Sequence, residues 1–198
     1  IGEWAFKKCK RLNKVVISNG VTSIRNQAFS FCKSLQEVLI PNSITVIEGS
    51  FQECNSLTHI AIPGSVITLK ENFETCRQLE SIDVDKSNPN YTSVDGVLFN
   101  KDKTTILRHP SEKSDKQYII PDGVKTIGTF TFYGCSRLTE VIIPNSVKRI
   151  RRCAFWGCKS LTSIIIPDSV TEMEVYAFDK TKKLTVKCHK DSYAEKYM

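Results

Sequence analysis

The chain has 198 residues, of which 40% are hydrophobic and 25% charged, and a formal net charge of +7. Such a composition fits a soluble, folded protein and excludes a disordered or collagen-like one. No apolar run approaches the ~18 residues of a membrane span, so no membrane insertion is expected. The basic balance permits an acidic partner, although a solvated basic surface is the more ordinary account of it.

The first predicted unit is Ile1–Ser23, with apolar positions at Phe6, Cys9, Leu12, Val15, Ile17 and Val21. The same spacing returns with Phe29, Cys32, Leu35, Val38, Ile40 and Ile44, then with Phe51, Cys54, Leu57, Ile60, Ile62 and Val66. A fourth unit carries Phe73, Cys76, Leu79, Ile82 and Val84. Residues 85–118 then break the pattern, forming a longer irregular unit. Its Val97–Phe99 and Thr105–Leu107 read as hairpin arms around the turn-rich Asn100–Lys103. The pattern resumes at Tyr118-Ile119-Ile120-Pro121. Its clearest statement is Ile127–Glu172, two consecutive 23-residue copies with 11 identical positions. A final unit has Phe178 and Leu184, and the tail from His189 fits no repeat position, reading as a cap or a frayed end. About eight turns of 22–23 residues make a single domain over residues 1–198, which opens in mid-repeat and is expected to be an excerpt of a longer protein.

A period in the twenties is the mark of a solenoid, in which one turn cannot bury its apolar side and stacked turns can. In each turn Leu-x-x-Ile-x-Ile alternates at its end, predicting a short strand, and stacking predicts a parallel sheet. Pro then ends the strand, because it has no N–H to donate to the next ladder. The Ala-Phe-x-x-Cys segment is expected to be irregular or a single helical turn. Cys9, Cys32, Cys54, Cys76, Cys135 and Cys158 all fall three residues after a Phe and three before a Leu. One shared slot with parallel Cβ vectors argues for reduced core thiols rather than disulfides.

The repeat Phe-x-x-Cys-x-x-Leu-x-x-Ile-x-Ile-Pro-x-Ser-Val resembles that of the BspA-like leucine-rich repeat proteins. The stretch DGVLFNKDKTTILRHP followed by YIIPDGVKTIG resembles the irregular unit of that family. The resemblance implies a leucine-rich-repeat solenoid with a parallel sheet on its concave face and irregular or short helical segments on its convex face. It further implies a cell-surface or secreted protein of bacterial or protist type, associated with adhesion to host matrix proteins or to cells. It implies no catalytic site and no cofactor.

The residues themselves bring little chemistry. There is no H-E-x-x-H, C-x-x-C, P-loop, G-x-G-x-x-G or G-x-S-x-G, so neither a metal site nor an enzyme is expected. His59, His109 and His189 are all expected at the surface. Asn90-Tyr91-Thr92 is the one glycosylation sequon, in the irregular unit.

Binding is better placed. The x positions of Leu-x-x-Ile-x-Ile face outward, and the last of them forms an apolar column: Val16, Leu39, Ala61, Ile119, Ile142 and Ile165, interrupted by Asp83. Beside it run Lys14, Glu37, His59, Glu80, Glu140 and Ser163. Such a column reads either as a protein-binding strip with a polar rim or as a stacking ladder that holds register. Basic clusters lie at Lys7, Lys8, Lys10 and Arg11, at Lys148, Arg149, Arg151 and Arg152, and at Lys180, Lys182 and Lys183. They read as a solvated face or as a weak site for a polyanionic glycan. Nucleic acid is disfavoured, because such binders interleave aromatics with the charges and here the Phe residues are assigned to the core. A structural spacer and an intracellular protein-interaction scaffold stay open beside the adhesion module.

Overall fold

A computed structural model describes residues 1–181 and 184–197. They fall into two compact units, Ile1–Lys101 and Asp102–Met198. Both are built from the leucine-rich-repeat solenoid turn that the sequence predicts.

Every letter of the repeat has a structural task. The Phe-x-x-Cys-x-x-Leu spacing is two consecutive tight turns, for Cys9 N–H donates to Phe6 O (3.1 Å) and Leu12 N–H donates to Cys9 O (3.1 Å). The same pair of bonds recurs from Phe29 to Leu35 and from Phe155 to Leu161. Pro-x-Ser-Val is a β-turn, closed by Ile44 N–H on Pro41 O at 3.1 Å and by Val147 N–H on Pro144 O at 3.1 Å. The Ser of that turn ties successive turns together: Ser43 Oγ donates to Val21 O (2.7 Å), and Ser169 Oγ to Val147 O (2.8 Å).

Stacked side chains fill the core. In the first unit Phe6, Phe29, Phe51 and Phe73 form a column with ring centroids 5.2, 5.6 and 6.0 Å apart. In the second, Phe132, Phe155 and Phe178 stack at 4.9 and 5.2 Å. Of the six cysteines in the shared slot, Cys9 in the first turn is exposed and Cys135 faces His109 and Pro110, while the other four turn their thiols inward to a Phe carbonyl one turn back. Cys32, Cys54, Cys76 and Cys158 donate to Phe6, Phe29, Phe51 and Phe132 at 3.0–3.2 Å. Burial pushes the thiols of Cys32, Cys54 and Cys158 up from their usual range.

Each turn contributes two short strands. The first carries the alternating Leu-x-x-Ile-x-Ile residues. The second, absent from the sequence expectation, is seen at Ser23–Ile24, Val46–Glu48 and Thr68–Lys70, which form a parallel sheet. In the second unit Thr105–Arg108, Thr126–Ile127, Arg149–Ile150 and Glu172–Met173 are joined by parallel pairings in the same way. A helix, Tyr193–Tyr197, forms in the tail.

Two segments depart from expectation, the first by an addition to it. Val97–Asn100 and Thr105–Arg108 are both strands, as expected, and within its unit Val97–Asn100 also pairs antiparallel with Tyr91–Val94. The turn between them is Asp95-Gly96, with φ of 48° and 75°. Consecutive positive φ values are what a two-residue hairpin turn demands. Asn88 anchors this hairpin from the core: its Nδ2 donates to Pro63 O and Val66 O, and its Oδ1 accepts from the N–H groups of Asn90 and Tyr91.

The second difference is His109, expected at the surface and 1% exposed. Its ring lies 5.3 Å from Phe132 and 4.8 Å from Tyr118, so it continues the Phe132 column. It stands three residues after Ile106, a shorter interval than the Ile-to-Phe spacing elsewhere, and that hid it. Its Nδ1 is 2.9 Å from Pro110 O and 3.5 Å from the Cys135 thiol, while Nε2 has no hydrogen-bond partner among the described residues. Burial pulls its pKa down to about 4.

Candidate functional site

The outward positions of the first strands form the candidate surface. Period-two alternation puts Val38, Ile60, Ile82, Val141 and Ile164 in the core and turns their neighbours to solvent. In the first unit Lys14–Val16 and Glu37–Leu39 are paired in parallel, with Lys14 opposite Glu37 and Val16 opposite Leu39. Val16 is 64% and Leu39 47% exposed, and Lys14 Nζ bridges to Glu37 at 2.8 Å. His59–Ile62 pairs with Ser81–Val84, bringing exposed His59 opposite Ser81 and exposed Ala61 opposite Asp83. His59 Nδ1 lies 2.9 Å from Thr58 Oγ1.

The second unit repeats the arrangement with larger side chains. Gln117–Ile119, Glu140–Ile142, Ser163–Ile165 and Thr185–Lys187 form a four-stranded parallel sheet. Ile119, Ile142 and Ile165 are 62, 40 and 64% exposed. Beside them Gln117 donates to Glu140 at 2.7 Å, and Glu140 is in register with Ser163. Glu140, Ile142, Ser163 and Ile165 line one shallow depression. Lys187, opposite Ile165, closes that depression and was not foreseen, because the last turn departs from the repeat motif. A neighbouring depression is lined by Ile165, Asp168, Cys188 and His189. There His189 Nδ1 contacts Asp168 at 2.6 Å, and this hydrogen bond raises the histidine pKa.

Among the described residues no group of three or more His, Cys, Asp or Glu is placed to hold a metal ion. Nor is any helix among them long and apolar enough to cross a membrane.

The family profile of the BspA type leucine rich repeat region matches residues 1–106 and 111–192 in six copies. The chain belongs to the BspA-type leucine-rich repeat family. Solved structures agree. A leucine-rich repeat protein from Eubacterium ventriosum ATCC 27560 is 27% identical, with a TM-score of 0.83 over 96% of this chain and 57% of that one. The pneumococcal vaccine antigen PcpA is 28% identical, with a TM-score of 0.72 over 88% of this chain and 51% of its own. A leucine-rich cell surface protein from Faecalibacterium prausnitzii A2-165 is 28% identical, with a TM-score of 0.65 over 98% of this chain and 64% of its own. The chain therefore spans roughly half to two thirds of the length of these relatives. No curated protein matches it. Leucine-rich repeats of this kind generally mediate protein interaction.

The basic clusters fare differently. The run Lys148–Arg152 is partly neutralised: Arg149 bridges to Glu172 at 2.9 Å, and Arg151 bridges to Glu172 and Glu174 at 2.7 and 2.5 Å. Burial opposes ionisation of Glu174, but hydrogen bonds from Arg151 and from the Arg152 N–H outweigh it and hold the carboxyl below its usual range. Of the third cluster, Lys182 and Lys183 lie outside the described residues.

Proposed function

We propose that the protein is a non-enzymatic binding module of a cell-surface or secreted protein, and that its sheet face recognises a protein on a host matrix or on another cell. The observation that carries this is the run of Ile119, Ile142 and Ile165, three large apolar side chains 40–64% exposed and flanked by Glu140, Ser163 and Lys187. Fully burying one such side chain is worth about 1.5–3 kcal/mol, so covering the exposed portions of three offers on the order of 3 kcal/mol. An apolar centre with a polar rim is the anatomy of an interface. Two of the relatives are a vaccine antigen and a cell surface protein, which supports the surface setting.

The test is binding of the recombinant chain to whole cells and to a panel of purified matrix glycoproteins. A photo-crosslinking residue placed at Ile142 should capture the same partner that is bound. Capture only from a control position at Lys125, or no binding to any cell or matrix protein, contradicts the proposal and leaves a spacer.

A further inference from the structure

A second surface lies in the second unit, on the segments that flank the Phe column. The residue two before each column Phe has a left-handed backbone: Trp4, Gln27, Gly49, Glu71, Phe130, Cys153 and Tyr176 all have φ between 41° and 61°. This backbone belongs to the repeat itself, and a large side chain is unfavourable there. The second unit nevertheless has Phe130 and Tyr176 at that position. They join Tyr133 and Trp156, each the residue after a column Phe, in one continuous aromatic ridge. Phe130 meets Tyr133 edge-on at 5.6 Å, Tyr133 stacks on Trp156 at 6.4 Å, and Trp156 meets Tyr176 edge-on at 6.4 Å. Tyr176 is 56% exposed, and Phe130, Tyr133 and Trp156 are half-buried.

Two cations sit on this ridge. The Arg152 guanidinium is 5.6 Å from the Phe130 ring and the Lys180 ammonium 6.0 Å from the Trp156 ring. Both residues are exposed, and among the described residues neither side chain has a carboxylate within ion-pair distance. Arg149 and Arg151, close by in sequence, are neutralised. The ridge itself is braced from the core, where buried Arg108 donates from Nη1 to Phe130 O (2.8 Å) and Tyr133 O (3.1 Å).

We propose that this ridge binds an acidic polysaccharide, with the aromatic side chains packed against the apolar faces of sugar rings and Arg152 and Lys180 paired with sulfate or carboxylate groups. Cations already held against rings lose little freedom when an anion arrives, and ring edges carry the positive end of the aromatic quadrupole. An acidic peptide satisfies the cations but offers the aromatic surfaces no flat apolar face. Neither partner makes use of the sheet, so the proposal stands apart from the protein-binding reading above.

The probe is heparin, with neutral dextran, polyglutamate and oligo-dT as competitors, measured against salt concentration. Arg152→Gln with Lys180→Gln is expected to weaken heparin binding at least tenfold. Lys125→Gln with Lys148→Gln, the same loss of charge elsewhere in the unit, is expected to weaken it less than threefold. Tyr176→Asn keeps a residue that tolerates left-handed backbone and is expected to cost at least fivefold with the salt slope unchanged. Equal losses from the two charge pairs, no effect of Tyr176→Asn, or competition by polyglutamate or oligo-dT as strong as that by heparin overturns the proposal. Ile142→Ser serves as a folded control and should leave heparin binding intact.

Discussion

Replacing His109 by Phe tests the reading of the second unit's core through its pH dependence. The imidazole is 1% exposed and is held neutral, with a pKa pulled from 6.5 to about 4 by burial. Arg108 and Lys113 also disfavour its protonation, while the bond to Pro110 O and the charge of Asp115 favour it. In the unfolded chain the ring takes up a proton near pH 6.5, whereas in the fold it resists until about 4. Its contribution is therefore fully present above pH 6.5 and is lost progressively as pH falls to 4. At ~1.4 kcal/mol for each pH unit separating the folded and unfolded values, the complete loss is about 3 kcal/mol, of which about 2 is reached by pH 5. His109→Phe keeps the column aromatic and removes the titration. Urea unfolding followed by circular dichroism at pH 7.5 and 5.0 measures the difference. The wild type should lose about 2 kcal/mol more than the variant between the two pH values, every other group being common to both. Identical losses in both proteins refute a buried neutral His109.

Further outcomes follow from the turn geometry. Gly134 has a φ of +71° and open space where a Cβ would lie, so Gly134→Ala isolates the backbone cost and should lower stability by about 1 kcal/mol in the same assay. Asn88→Ala removes four hydrogen bonds at a fully buried position and should cost about 3 kcal/mol or more, with faster amide exchange across Tyr91–Val94. Exposed Cys9 and half-exposed Cys188 should react with iodoacetamide at pH 8 while Cys32, Cys54, Cys76, Cys135 and Cys158 stay protected, as peptide mass spectrometry of the folded protein can show.

The solenoid was legible because each repeat letter has a local cause that recurs. Two tight turns set the Phe-Cys-Leu spacing, and Pro and Ser set the next turn. The second strand of each turn was not, because stretches as short as Ser23–Ile24 and Thr126–Ile127 hold too little alternation to register. The Tyr91–Val94 hairpin did leave a signal, Asp95-Gly96, but its Tyr-Thr-Ser-Val arm is only weakly apolar beside the stronger arm Val97–Phe99. His109 was misplaced because a titratable residue in a ladder slot is invisible when the spacing also shifts. Of the candidate site, the outward column followed directly from alternation. The aromatic ridge did not: Phe130, Tyr133, Trp156 and Tyr176 occupy positions that the repeat leaves free. Their gathering depends on left-handed backbone at Phe130 and Tyr176, which spacing does not encode.

The central proposal is that the sheet face of the second unit binds a protein. Its most direct measurement is the affinity of the captured partner for Ile119→Ser/Ile142→Ser/Ile165→Ser set beside that variant's unfolding free energy. The account predicts a loss of binding of at least a hundredfold, about 3 kcal/mol, with stability changed by less than about 1 kcal/mol. A variant that binds as the wild type does while its fold weakens contradicts it, and makes the column a structural ladder.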